Sequence, residues 1–267
     1  DAADIGEFDQ PSWSDRNPDN GLYMIECDAG GIGDGDFSTN DTFHFIYREI
    51  SGSFAIAGSP LWYEYPGQCG LMVRQSLDDD SPFVFIQITD GVGADSNAIV
   101  GTWRSAKGAA AMPLDGEVDP GTDEFPTIRL ERNGNTFDSL MLARADRFRR
   151  IQRVLVQMTD PVYVGIAVTG SSSQGTYWEF QDVELEEYPI TAERKLPEQT
   201  LTPGATLSGV EVTAQAAAEE DVELIVIEEP PEGVSISNIA VTAGAYELDE
   251  DGNIVWTLSG GAGESKL

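Results

Sequence analysis

The sequence predicts an all-β chain: an antiparallel sandwich followed by a smaller one. Three observations carry this. Short segments rich in Val, Ile, Phe and Tyr alternate apolar with polar residues, turn signals separate them, and no long stretch repeats its apolar residues at helical spacing. In order, the predicted strands are residues 22–26, 42–47, 70–75, 83–89, 99–104, 127–132, 136–143, 154–158, 163–169 and 177–185. Asp90-Gly91, Asn133-Gly134, Asp160-Pro161 and the glycine-serine run 170–175 supply the turns. Many short strands with regular turns build sandwiches. Residues 105–126 interrupt the rhythm with a small-residue, proline-bearing stretch too long for a hairpin loop, which reads as a functional flap or a mobile insertion.

Past Tyr188-Pro189 the texture changes, and the chain is expected to divide into residues 1–189 and 190–267. Aromatic residues thin out, and "RKLPEQTLTPGATLSGVEVTAQ", "DVELIVIEEPPEGVSI", "IAVTAGAYEL" and "GNIVWTLSG" follow as shorter strands spaced for a small immunoglobulin-like sandwich. Ile254, Trp256 and Leu258 alternate as a half-buried strand, and after a Gly-rich turn Ser265, Lys266 and Leu267 start another. This second sandwich is therefore expected to lack its last strand, which another chain could supply.

Bulk composition bounds the function. The 267 residues include 47 acidic and 15 basic side chains, a formal charge of −32. Such a field repels phosphate backbones and anionic membranes, so nucleic acid is excluded as a partner. No apolar run reaches the length of a membrane helix, so the chain is not expected to be membrane-embedded. The only lysines are Lys107, Lys195 and Lys266, and an acid-rich, lysine-poor surface suits a saline medium. The chain starts at Asp1 with no basic, apolar leader, as a trimmed export product would, so an extracellular or cell-surface, bacterial-type secreted protein is expected. Cys27 and Cys69 are the only thiols. In an exported protein they would close one disulfide over roughly forty residues, worth about 4 kcal/mol; otherwise they are two separately buried thiols.

Four ordered blocks resemble a known family. Asp41 precedes Phe43, Phe45 and Tyr47; Gly70 to Met72 precede Arg74; Arg129, Leu130, Arg132, Gly134, Asn135 and Phe137 follow; and Asp160 to Tyr163 lead to Gly165, Ile166, Val168 and Thr169. In this pattern the chain is similar to a bacterial concanavalin A-like lectin/glucanase-type module, the one labelled as related to regulation of enolase. The resemblance spans roughly residues 4–188 and implies a jelly-roll sandwich of secreted or surface proteins, with glycan binding as the presumed role. Residues after 190 resemble, more loosely, the immunoglobulin-like repeats of bacterial surface proteins. One departure follows Phe137, where "ARADRFRRIQR" gathers Arg144, Arg147, Arg149, Arg150 and Arg153 on an otherwise acidic body. This island reads as an assembly contact for an acidic surface, a second copy included, or as arginines paired with carboxylates of their own domain.

Chemistry is sparser. In "PLWYEYPGQ", Trp62, Tyr63 and Tyr65 form a loop-like aromatic set on which sugar rings could stack. Asp34, Asp36 and Asp41, in "GDGDFSTND", are hard oxygen donors for calcium, the one cofactor the sequence offers, or solvated turn residues. In "WEFQDVELEE", strand alternation places Glu179 on the face opposite Asp182 and Glu184 unless a bulge intervenes, so the paired carboxylates of a glycosidase are not expected. His44 is the single histidine and reads as structural. With no catalytic residue assigned, the expected protein is not an enzyme: a non-catalytic extracellular protein acting by binding and adhesion, its jelly roll holding polysaccharide. The alternative is a structural subunit of a filament or surface layer, assembled with other copies of itself.

Overall fold

Alternation along the strands decides the architecture, because it sends successive side chains of one strand into two separate apolar clusters. A computed structural model describes residues 1–28, 30–33, 38–64, 67–90, 97–113, 118, 125–143, 147–170, 175–188, 190–195, 211–216, 222–228, 239–240, 244–249, 253–260 and 263–266. These form two compact units, Asp1–Glu187 and Tyr188–Leu267. The first contains β1 (Ala2–Ile5), β2 (Trp13–Arg16), β3 (Tyr23–Cys27), β4 (Phe43–Ile50), β5 (Ser53–Tyr63), β6 (Gln68–Arg74), β7 (Phe83–Asp90), β8 (Asn97–Arg104), β9 (Met112–Pro113), β10 (Ile128–Asn133), β11 (Thr136–Ala143), β12 (Arg147–Leu155), β13 (Val162–Thr169) and β14 (Thr176–Tyr188).

Two antiparallel sheets result, sheet I in the order β1-β4-β13-β6-β7-β8-β9 and sheet II in the order β12-β11-β10-β5-β14-β3-β2. The jelly-roll sandwich expected from the sequence is what forms. Its main core lies between the sheets, where Leu71, Val73, Ile86, Ile88, Ile166 and Val168 of sheet I meet Phe54, Ile56, Leu130, Phe137, Trp178 and Phe180 of sheet II. Alternate residues of sheet I, among them Phe43, Phe45, Met72, Phe83, Phe85 and Ala167, join Ile5, Ile32 and Ala111 in a second cluster without any sheet II residue. That cluster therefore covers the outer face of sheet I.

The second unit holds β15 (Ile190–Lys195), β16 (Glu211–Ala216), β17 (Val222–Glu228), β18 (Ala245–Leu248), β19 (Ile254–Gly260) and β20 (Gly263–Lys266). They make two three-stranded sheets, β15-β16-β20 and β17-β19-β18. Ile254 and Trp256 of β19 are buried, as their alternation predicts. The final residues pair with β16 from Ala216↔Gly263 to Thr213↔Lys266, so the segment read as the start of a strand is a strand.

Three strand readings change. Residues 53–63 form an eleven-residue strand where no strand is expected, because its run of Ala, Gly and Ser hides the apolar alternation. The Arg-rich segment is itself strand β12, with exposed arginines at the sheet edge. The amino-terminal β1 and β2 also escape the sequence reading, being four residues each.

Candidate functional site

The outer face of sheet I is sealed from below. Arg104, fully buried at the end of β8, donates from Nη1 and Nη2 to the two Asp41 oxygens at 2.6 and 2.8 Å. Its remaining hydrogens reach the carbonyls of Ser38, Asp79, Ser81 and Ala109, which ties three loops over the apolar face. Burial pushes the Asp41 carboxyl above the usual aspartate value, against the pull of Arg104. Arg74, also buried, stacks over the Phe43 ring at 4.9 Å and donates to the carbonyls of Ser76 and Asp78; burial draws it down to about 10. Gly6, at φ +81°, lets the chain pass over this region, since a Cβ there would lie 2.5 Å from the Asp41 carbonyl oxygen.

Of the expected calcium ligands, Asp34 and Asp36 fall outside the described residues. Asp41 has no oxygen left to offer a metal ion. A guanidinium holds both its oxygens, and the Gly33 N–H donates to one of them at 3.2 Å. Among the described residues no group of three or more His, Cys, Asp or Glu could hold a metal ion.

The outer face of sheet II is open. Trp13 pairs with Glu26 across β2 and β3, and Glu26 with Tyr177 across β3 and β14, so these three side chains form one row. Trp62, at the end of β5, brings its ring to 5.7 Å from Tyr177. Trp13 and Trp62 are 48% and 49% exposed. One step along, Asp15, Met24 and Glu179 form the next same-face row, which places Glu179 diagonal to Glu26. The Tyr177 hydroxyl donates to Glu179 Oε1 at 3.2 Å, and burial together with the Glu179 charge raises the Tyr177 pKa.

The aromatic set expected at residues 62–65 is thus split. Trp62 faces outward, but on a strand rather than a loop. Tyr63 turns inward, stacked on Trp178 at 4.7 Å and edge-on to Phe125 at 5.8 Å, and offers no platform. Tyr65 lies outside the described residues. Sequence reasoning missed Trp13 and Glu26, which only the strand register brings beside Tyr177.

The register argument against paired carboxylates also fails. Trp178 and Phe180 point into the main core, and so do Val183 and Leu185. Two residues rather than one therefore lie between the inward Phe180 and Val183 in place of strict alternation: an extra residue enters at Gln181-Asp182, where Asp182 takes φ 54°. Beyond this irregularity Glu184 returns to the outer face, the same face as Glu179.

Cys27 and Cys69 are free thiols, both buried in the main core, which corrects the expected disulfide. Burial, and then the neighbouring Cys27, push the Cys69 thiol well above its usual value. In the arginine island Arg144 lies outside the described residues. Arg150 and Arg153 reach Asp138 at 3.7 and 2.5 Å, and Arg147, Arg149 and Arg150 are exposed along β12. Among the described residues Arg147 and Arg149 have no ion-pair partner; charged side chains on an edge strand also block edge-to-edge pairing.

No family model and no curated protein matches the sequence. Solved structures do match, and the likeness is one of fold, a jelly-roll sandwich. A functionally unknown protein from Saccharomyces cerevisiae superimposes with a TM-score of 0.52 at 15% identity, over 67% of this chain and 93% of that one. An alginate lyase from Klebsiella pneumoniae (TM-score 0.44, 8% identity, 65% and 86% covered) and a β-glucanase from Bacillus licheniformis (0.41, 10%, 70% and 92%) are also similar. The expectation of a non-catalytic adhesive or scaffolding protein is corrected: the alternation argument that supported it does not survive the irregularity at Asp182, and two of these three neighbours, the lyase and the β-glucanase, are enzymes by name.

Proposed function

We propose that this chain processes polysaccharide on the outer face of sheet II. The observation that carries the reading is the row Trp13, Glu26, Tyr177 with Trp62 beside it and Glu179 diagonal to Glu26. Aromatic faces exposed in a row give pyranose rings a stacking surface, and polar groups between them fix orientation. Glycoside cleavage needs two carboxyl groups on one face, about 5–9.5 Å apart depending on stereochemistry. Diagonal cross-strand neighbours stand roughly 7–8 Å apart at the backbone, so Glu26 and Glu179 fall within reach of that requirement. Glu179 is held by the Tyr177 hydroxyl, and Glu26 is the exposed partner across the strand.

In this reading the resembled bacterial module supplies the catalytic body, and the unit Tyr188–Leu267 is its immunoglobulin-like companion. Polysaccharide outside the cell is the partner, consistent with the acid-rich, lysine-poor surface. Reducing-end assays over a panel of neutral and uronic polysaccharides test it. Glu26→Gln and Glu179→Gln should each lower turnover at least 100-fold while leaving the urea midpoint in place. Turnover of no polysaccharide, or turnover left at the parent level in either variant, would overturn the proposal.

A further inference from the structure

A second constellation lies on the side of the sandwich where β1 and β2, the outermost strands of sheets I and II, run. His44, the only histidine in the chain, points both of its ring nitrogens at polar side chains. Nδ1 lies 2.7 Å from Asp4 Oδ1, and Nε2 lies 2.9 Å from Ser14 Oγ. The three come from different strands: Asp4 from β1, His44 directly opposite it on β4, and Ser14 from β2 of the other sheet. His44 is 5% exposed, Ser14 is half-buried and Asp4 is exposed, so the imidazole is the covered member and the serine and aspartate flank it toward solvent.

Asp4 is itself held. The Ser12 N–H donates to its second oxygen at 3.1 Å. Burial raises the Asp4 pKa, but the His44 and Ser12 hydrogen bonds outweigh this and leave it below the usual aspartate value. An ionised carboxylate at Nδ1 keeps the proton on that nitrogen and leaves Nε2 as the acceptor facing Ser14. A hydroxyl beside a base that a third group orients is the arrangement that activates a serine nucleophile.

We infer that Ser14, His44 and Asp4 form an acyl-transfer site that hydrolyses carboxylic esters, separate from the carboxylate pair on the face of sheet II. Ser14 Oγ attacks the ester carbonyl while His44 Nε2 takes its proton, and the imidazolium returns that proton to the departing alkoxide, releasing an alcohol. Water then adds to the acyl-serine with His44 again as base, and collapse frees the carboxylic acid and restores the serine. Ser14 and His44 are the catalytic residues, and Asp4 is a positioning residue.

The test uses the full chain and a fluorophosphonate probe, followed by intact mass and peptide mapping. One probe per chain, located on Ser14, is expected, together with hydrolysis of p-nitrophenyl acetate that falls at least 100-fold in Ser14→Ala. Asp4→Asn should slow labelling at least 10-fold, and a melting scan of each variant shows whether it is folded. A probe found elsewhere, no labelling of the unaltered protein, or ester hydrolysis unchanged in Ser14→Ala would overturn the inference and leave the three residues as a polar clasp between the sheets. The labelling arm does not depend on polysaccharide turnover, so each proposal can fail alone.

Discussion

The outer faces of the two sheets follow the same pleat and end in opposite states. On sheet I the outward positions carry Phe43, Phe45, Met72, Phe83 and Phe85, all fully buried beneath loops clamped by Arg104. On sheet II the outward positions carry Trp13 and Trp62, about half exposed, with Glu26 and Glu179 among them. Apolar outward residues demand a cover, and a buried ion pair with all its hydrogen bonds satisfied can hold one in place. Aromatic residues interleaved with carboxylates need no cover and stay available to a ligand. The first face spends its side chains on stability, and the second leaves them open, as the proposed polysaccharide chemistry requires.

The sharpest way to break this contrast is to unclamp the sealed face. Asp41→Ala leaves the buried Arg104 without its partner, and removal of one member of such a pair costs about 3–5 kcal/mol. Urea unfolding should show that loss. Glu187→Ala, which breaks the exposed Arg48 pair at 2.7 Å, should cost less than about 1 kcal/mol. Equal effects would mean that the loops over sheet I are not held by Arg104.

On the open face the order reverses. Trp62→Ala should leave the urea midpoint within about 0.5 kcal/mol of the parent, since a half-exposed ring contributes little to the core. Its effect should instead be on sugar: a KM raised about 3- to 10-fold, the worth of one aromatic contact. Tyr63→Ala should do the opposite, destabilising the core edge where it stacks on Trp178. A large stability loss from Trp62→Ala would show that both faces are structural.

These two faces were not equally legible in the sequence. The blocks that carry the family resemblance include Asp41, Arg74, Arg132 and Asp160, and the structure puts them to work as scaffolding: Asp41 on Arg104, Arg74 over Phe43, and Arg132 on Asp160 at 2.5 Å. A pattern built from buried, geometrically demanding pairs announces a fold well. It says little about a ligand face, whose residues come from strands far apart in sequence. Trp13, Glu26, Tyr177 and Trp62 meet only through the order β5-β14-β3-β2, and β2 and β5 gave no readable alternation. The Asp182 irregularity was equally hidden, because a single left-handed residue inside a strand leaves no periodic trace. His44 could be seen as isolated but not as bridging two sheets, since its partners sit 40 and 30 positions away.

The interior between the faces offers a third test. Cys27 and Cys69 share the main core as free thiols, so denatured, unreduced protein should titrate two thiols, and folded protein almost none. One disulfide and no reactive thiol would mean that the two sulfurs close on each other and that the core between Ile25 and Leu71 is cross-linked rather than simply packed.

The smallest expected effect lies at the edge where β1 meets β4. Asp4 is held below its ordinary pKa in the folded chain, so the unfolded state binds the proton more readily. Its contribution to stability is therefore present above the ordinary aspartate value of 3.8 and is lost as pH falls through the lower, folded value. Urea midpoints measured from pH 7 down to pH 3 should fall, and Asp4→Asn should flatten the acidic end of that curve slightly. Because the carboxylate is part-exposed, solvent screens much of the interaction and the difference should be modest. A variant curve parallel to the parent below about pH 4 would show that His44 and Ser12 do not hold Asp4 ionised, and would remove the orienting charge from behind the imidazole.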